Sequence, residues 1–188
     1  MATQAPHHLF TYAEHLAREQ ETGLKHEFLK GAIYAMAGGT PEHARLIAEL
    51  GFLLRGALDP KRCRVFSSEL KIKVGPTELF TYPDVTVVCG ELERSSEDNN
   101  AVTNPKLVVE VLSHSTEAYD RGGGWAHYQR ISSLEAHVLV GQIPQRLEIY
   151  ERQPNGDFVH RVAAAGESLP IACLNTRLSV DALYTAAL

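Results

Sequence analysis

Cysteine is scarce in this chain: Cys63, Cys89 and Cys173 are the only three, and no two stand as a C-x-x-C pair. That scarcity argues against a disulfide framework and against a structural zinc site. The three are expected to be small core residues in a reducing compartment, the cytoplasm. Long apolar runs are missing too. None reaches the roughly 18 to 20 residues that span a bilayer, and the opening "MATQAPHHLF" has neither the basic start nor the apolar centre of a signal peptide. A soluble, unexported protein with no membrane partner is expected. Basic charge is in deficit, 18 Lys+Arg against 23 Asp+Glu for a formal net charge of -5. A chain that coats nucleic acid non-specifically carries the opposite balance, so any such contact must come from a local patch. The glycine-rich "DRGGGWAHYQR" at 120–130 lacks the Lys-Ser/Thr end of a phosphate-binding loop, because Trp125 and Ala126 follow the glycines, and a nucleotide cradle is a poor fit.

What is present suits one globular domain over 1–188, with residues 1–10 as a flexible lead-in: 44% of the 188 residues are hydrophobic and 22% charged. "TYAEHLAREQE" at 11–21 reads as a helix, and two short apolar runs around Lys30-Gly31 read as a hairpin. Thr40 is a suitable N-cap and Pro41 a suitable first helical residue, after which His43, Ile47, Leu50, Leu54 and Ala57 share one face. His43 heads that face, where a histidine is more often a core or cap residue than a base. From Cys63 the period changes to two: "CRVFSSELKIKV" alternates, "LFTYPDVTVVCG" reads as a strand, and "PKLVVEVLS" reads as a sheet centre. The acidic "ELERSSEDNNAVTN" between the last two is expected to be a mobile surface loop. A helix over about 117–131, further strands in "AHVLVGQ", "RLEIYERQPNGDFVHRV" and "ESLPIACL", and a helix from about 180 complete the chain.

Two carboxylates interrupt apolar strands, Asp84 in "TYPDVTVV" and Glu110 in "LVVEVLS". A charge in such a place is costly unless it is paired or bound to a cation. By parity Asp84 shares a face with Thr86 and Val88, and Glu110 with Val108 and Leu112, so on neighbouring strands the two converge. Convergent carboxylates with a backbone carbonyl and waters make a hard oxygen site suited to Mg2+ or Mn2+, ions that serve phosphoryl chemistry. The plainer alternative is that each pairs with a buried arginine or caps a strand end.

The blocks "HEFLKGAIYAMAGGTPEHARL", "TYPDVTVVCG", "NPKLVVEVLSHSTEAYDRG" and "HYQRISSLEAHVLV" together resemble the Uma-type restriction endonuclease family, a branch of the PD-(D/E)xK nuclease superfamily. The resemblance implies an α/β (α+β) restriction-endonuclease-like core, a mixed sheet flanked by helices with additional C-terminal strands. It also implies Asp84 and Glu110 as ligands for divalent-metal-dependent cleavage of a nucleic-acid phosphodiester, with DNA as the expected partner and a homodimer as a means of reaching two strands. Glu27 in "KHEFLKG" stands where the superfamily often adds an acidic group near the metal.

The superfamily's lysine is missing from its usual place, two residues after the Glu, which is Leu112 here. Similar family members carry it in the next helix, in a block resembling D-R-G-x-K-F-x-x-Y, and that position falls on Gly124. Ala136-His137 and Ala32 also depart from the family's E-Y and G-E-I patterns. Lys71, which shares a strand face with Glu69 and Lys73, is the favoured substitute for the lysine, with Arg121, one helical turn before Gly124, as second choice; the plainer reading is that Lys71 and Lys73 protect an exposed strand. Lys61, Arg62 and Arg64 form the densest basic cluster and, with Arg121, are the candidates for phosphate contact. Two functions follow: a weak metal-dependent endonuclease, or an inactive nuclease-fold protein that binds nucleic acid or oligomerises.

Overall fold

The computed structural model describes residues 8–36 and 38–186. Residues 1–7 of the expected flexible lead-in lie outside the described residues, whereas Phe10 is tied down by its N–H bond to the Gly31 carbonyl at 2.9 Å. Helix α1 (Tyr12–Thr22) opens with a reciprocal capping box between Thr11 and Glu14 and stops at Gly23, whose φ of 66° suits glycine. The hairpin β1 (His26–Leu29) and β2 (Ala32–Ala35) turns at Lys30-Gly31. Helix α2 (Pro41–Ala57) starts on the Thr40 cap.

Strands β3 (Cys63–Ser67), β4 (Lys71–Val74), β5 (Leu79–Thr81), β6 (Val85–Cys89), β7 (Ala101–Val102) and β8 (Leu107–Val111) follow. Beyond them lie α3 (Glu117–Tyr119), a π-helical turn at Asp120–Gly124, α4 (Trp125–Tyr128), and strands β9 (Ala136–Gly141), β10 (Arg146–Arg152), β11 (Phe158–Ala164), β12 (Ser168–Ile171) and β13 (Thr176–Ser179). Helix α5 (Val180–Ala186) ends the described chain.

The strands form more than one sheet. A five-stranded sheet runs β2-β1-β5-β4-β7, a six-stranded sheet runs β11-β10-β9-β8-β6-β3, and β12 pairs with β13. β4–β7 and β8–β9 are parallel and the other pairs antiparallel, so both larger sheets are mixed. "LFTYPDVTVVCG", expected as one strand, is therefore two: β5 and β6 belong to different sheets, and Tyr82-Pro83-Asp84 carries the chain between them. Pro83 has no N–H to give to either ladder, which suits it to that crossing.

Leu46, Leu50 and Leu54 of α2 pack with Val85, Val87, Leu107, Val109 and Val111 on one face of the six-stranded sheet, joined by Leu183 and Tyr184 of α5. Burial of each such side chain stabilises the fold by about 1.5–3 kcal/mol. The opposite face carries Val108 and meets Ile72, Val74 and Leu79 of the second sheet together with Tyr128, Ile131 and Leu134. The site residues stand at the margin of this second layer.

Two expectations are corrected here. The acidic segment 91–104 is anchored: Ser95 and Asp98 are buried, and β7 lies parallel to β4. Its polarity serves an internal network described below. Cys63 and Cys89 are not separate core thiols but a disulfide across the β3–β6 ladder, where the register sets them opposite each other, and Cys173 is the free cysteine. The cysteine argument for a reducing compartment falls with this pairing.

Closing a loop across a sequence separation of 26 should stabilise the chain by roughly 3–4 kcal/mol. Thiol titration of unfolded, unreduced protein should find one reactive cysteine, rising to three after reduction. The Cys63→Ser/Cys89→Ser double variant should unfold at a clearly lower urea midpoint.

Candidate active site at the ends of two strands

Asp84 and Glu110 lie side by side. The β6–β8 ladder pairs Val85 with Val109, and one step beyond it the two carboxylates take over the hydrogen bonding. The Asp84 N–H donates to Glu110 Oε2 at 3.2 Å, and the Val111 N–H donates to Asp84 Oδ2 at 2.8 Å. Tyr128, on α4, donates its O–H to Glu110 Oε1 at 2.6 Å and so fixes the other end of that carboxylate.

His43 closes the group from α2. Its Nε2–H donates to the Val111 carbonyl at 2.9 Å and lies 3.4 Å from Asp84 Oδ2. The side chains of His43 and Asp84 keep 15% and 17% of their surface in solvent, so the site opens to the outside.

Two more carboxylates surround it. Glu27 on β1 accepts the Thr81 O–H, and its charge is felt at Tyr119, Asp120 and Tyr128. Asp120 starts the π turn after α3 and faces the charges of Asp84 and Glu27. The electrostatics record the crowding. Loss of water first, then the charge of Asp84, hold Glu110 well above the usual carboxylate range. Asp120 is pushed up to about 6, mainly by burial, and burial raises Glu27 as well. The hydrogen bond to Asp84 raises His43. Asp120 is not among the residues singled out from the sequence, where the acidic start of "DRGGG" is its only signal.

The expected cations are elsewhere. Lys71 is buried in another cluster, where its ammonium donates to Glu19 at 2.9 Å, Asp98 at 3.0 Å and the Tyr12 oxygen at 3.3 Å. These account for its three donors. Strand parity pointed Lys71 at Asp84 only on the assumption of a single sheet; β4 and β6 lie in different ones. Arg121 holds Glu148 through both terminal nitrogens, at 3.0 and 2.7 Å, and Glu117 through Nε at 2.8 Å. Lys61, Arg62 and Arg64 are exposed at the entrance to the edge strand β3. Cys63 faces Cys89 there, five residues along β6 from Asp84, which puts the cluster roughly 15 Å from the carboxylates.

Gly124 is buried within the π turn, a distortion that tends to accompany functional sites. A Cβ there would lie 3.3 Å from the Tyr119 carbonyl and 3.4 Å from its ring, whereas one at Gly122 would meet nothing within 4 Å. Among the described residues no three His, Cys, Asp or Glu side chains converge closely enough to enclose a metal ion. What the strand ends offer is two carboxylates beside a carbonyl, with further negative charge around them. That donor set fits Mg2+ or Mn2+, which keep several waters and bind through one or two carboxylates plus substrate phosphates.

A mixed sheet flanked by helices, with paired carboxylates at the ends of adjacent strands, defines a restriction-endonuclease-like protein. The chain belongs to the Uma2 family, described as "Putative restriction endonuclease", which it matches over residues 12–182. It is 36% identical over 180 residues to the uncharacterized protein slr1290 of Synechocystis sp., covering 96% of this chain and 94% of that one. The uncharacterized protein sll1609 of the same organism is 33% identical over 144 residues, 77% of this chain and 81% of its own length. The fold is shared with the crystal structure of a putative nuclease belonging to DUF820 from Anabaena variabilis, with a TM-score of 0.73 and 19% identity over 89% of this chain and 93% of that one.

Carboxyls held above their ordinary values release their protons later in the folded chain than in the unfolded one, so stability falls as pH rises through that window. For Asp120 the window runs from 3.8 to about 6. The raised value of His43 acts in the same direction at higher pH, since stability it supplies below 6.5 is lost as pH passes its folded value. Asp120→Asn should therefore raise the melting temperature of metal-free protein by a few degrees at neutral pH, following a gain on the order of 2 kcal/mol. The gain should vanish in acid, where the carboxyl is protonated in both states. Scanning calorimetry across pH checks both the sign and the window. In the same assay Gly122→Ala should stabilise by roughly 0.5–1 kcal/mol, and Gly124→Ala should fall short of it because of the Tyr119 contacts.

Proposed function

We propose that the protein hydrolyses nucleic-acid phosphodiester bonds, DNA in the first instance, in a reaction that depends on Mg2+ or Mn2+ held by Asp84 and Glu110. The observation that carries this is the placement of the two carboxylates side by side, each fixed by a backbone N–H, in a chain of a nuclease family. A bound divalent ion supplies a Lewis acid for a phosphate oxygen and lowers the pKa of water. The chain's own groups do the rest. The Val111 N–H and the Tyr128 O–H hold the two carboxylates in fixed rotamers, so little reorganisation is left for the reaction. Glu27 and Asp120 add the negative charge that makes a cation welcome. His43 is the basic group in contact with Asp84, and its Nε2–H is held between the Val111 carbonyl and Asp84 Oδ2.

Lys61, Arg62 and Arg64 are proposed to contact phosphates about four or five nucleotides away, given a rise near 3.4 Å per nucleotide. Lys71 and Arg121, committed to carboxylates of their own, are no longer assigned to catalysis or phosphate contact. That same commitment favours a second reading, an inactive nuclease-fold protein that binds nucleic acid, because the lysine position at 124 is glycine and neither substitute stands in for it. A homodimer remains the proposed assembly for cutting two strands. The cytoplasm remains the proposed compartment because nucleic acid lies there.

Nicking of supercoiled DNA by highly purified protein in Mg2+ or Mn2+ is the expected outcome, with loss on chelation. Asp84→Ala and Glu110→Gln should each lower the rate at least about 10²- to 10³-fold. Glu110→Gln should leave the melting temperature near or above that of the parent, whereas Asp84→Ala, which takes the acceptor from the Val111 N–H and the partner from His43, should lower it. Activity that survives either substitution overturns the assignment of those residues. Calorimetric Mn2+ binding without cleavage of DNA or RNA establishes the inactive alternative.

A further inference from the structure

Beyond the carboxylates, α4 presents a second feature on its other side. The antiparallel register sets His137, Tyr150 and His160 in one row across β9, β10 and β11. Trp125 lies nearly parallel to His137, with centroids 5.4 Å apart at 6°, and stacks on Tyr150 at 4.6 Å and 23°. Tyr150 stacks in turn on His160 at 4.6 Å and 22°, and Phe158 meets Trp125 edge-on at 4.8 Å. A cavity of about 370 Å³ opens against Trp125, Tyr150, Phe158 and His160, bordered also by Gln129 and Asp157, while His137 is itself fully buried. Arg152 is not a free cation there: it lies over the Phe158 ring and donates to the carbonyls of Leu134, Gln129 and Ile131, which stiffens the wall.

We propose that this cavity is a stacking pocket for an unpaired nucleobase of the substrate strand. Three features select that ligand. Parallel rings offer a planar face that any base can extend, whatever its sequence. The Gln129 amide and the Asp157 carboxylate at the rim match the donors and acceptors on a base edge. The volume admits one or two flat rings and not a duplex. Trp125 and Tyr128 are the first and last residues of the single helical turn α4, the first in the pocket and the second on Glu110, so a base seated at one places its strand beside the other. The proposal rests on nucleic acid being the substrate and names the form it takes, single-stranded or locally opened.

Trp125 is the chain's single tryptophan and reports directly on the pocket. Full-length protein in EDTA, where no cleavage occurs, is titrated with a single-stranded oligonucleotide and with the duplex of the same sequence while indole fluorescence is followed. Saturable quenching by the single strand is expected, with the duplex markedly weaker. Phe158→Leu should weaken single-strand binding roughly 5- to 100-fold. Gln129→Ala, at the exposed position that follows α4 and kept in case the first variant folds poorly, should weaken it by roughly 2- to 10-fold. Indifference of the fluorescence to the single strand, equal response to duplex, or unchanged affinity in a folded Gln129→Ala overturns the pocket. Failure of the metal-dependent hydrolysis is read separately: quenching that persists without any cleavage keeps the pocket and removes the nuclease assignment, and cleavage abolished by Asp84→Ala with no quenching does the reverse.

Discussion

The pair of hydrogen bonds from the Asp84 N–H to Glu110 and from the Val111 N–H to Asp84 is the interaction on which the site depends. At the end of an antiparallel ladder the next backbone pair would normally continue the bonding. Here the Asp84 amide is met by a side-chain carboxylate, and the Asp84 carboxylate in turn meets the Val111 amide. This lets β6 and β8 separate without leaving polar groups unpaired. The chain needs that freedom, because on the N-terminal side of Asp84 it belongs to a different sheet. The same substitution concentrates negative charge where the sheets part. Charge that is unfavourable for folding and geometry that is favourable for binding a cation are thus two aspects of one arrangement.

The layers around the site explain why it holds its shape. One face of β8 is clamped by the leucines of α2, and the other meets Tyr128 and the second sheet. Glu110 therefore stands on a strand gripped from both sides, and His43 is delivered by the very helix whose leucines do the gripping. Asp84 sits in the crossing just before β6, and Asp120 comes from the π turn, where Tyr119 lies close against Gly123 and Gly124.

Local features were legible in the sequence. The Thr40-Pro41 helix start, the Lys30-Gly31 hairpin and the convergence of Asp84 with Glu110 all follow from caps, turns and parity over a few residues. Parity could not say which sheet a strand joins, and for that reason Lys71 was pointed at the wrong carboxylates. Its partners, Glu19 and Asp98, lie 52 and 27 residues away. The disulfide was hidden for a related reason: an odd cysteine count says nothing once one ladder has set Cys63 opposite Cys89. Asp98 was lost within a segment whose acidity looked like simple solvation.

Lys71 then acquires a different meaning. A buried ammonium shared between Glu19 of α1 and Asp98 of the 91–104 segment ties those two elements together, and removal of either carboxylate takes away one of its three acceptors. Tyr82, two residues before Asp84, donates to that same Glu19 carboxylate. The N-terminal helix, the acidic segment and the approach to Asp84 are in this way bound into one cooperative unit, which should exchange its amide hydrogens together rather than fray piece by piece.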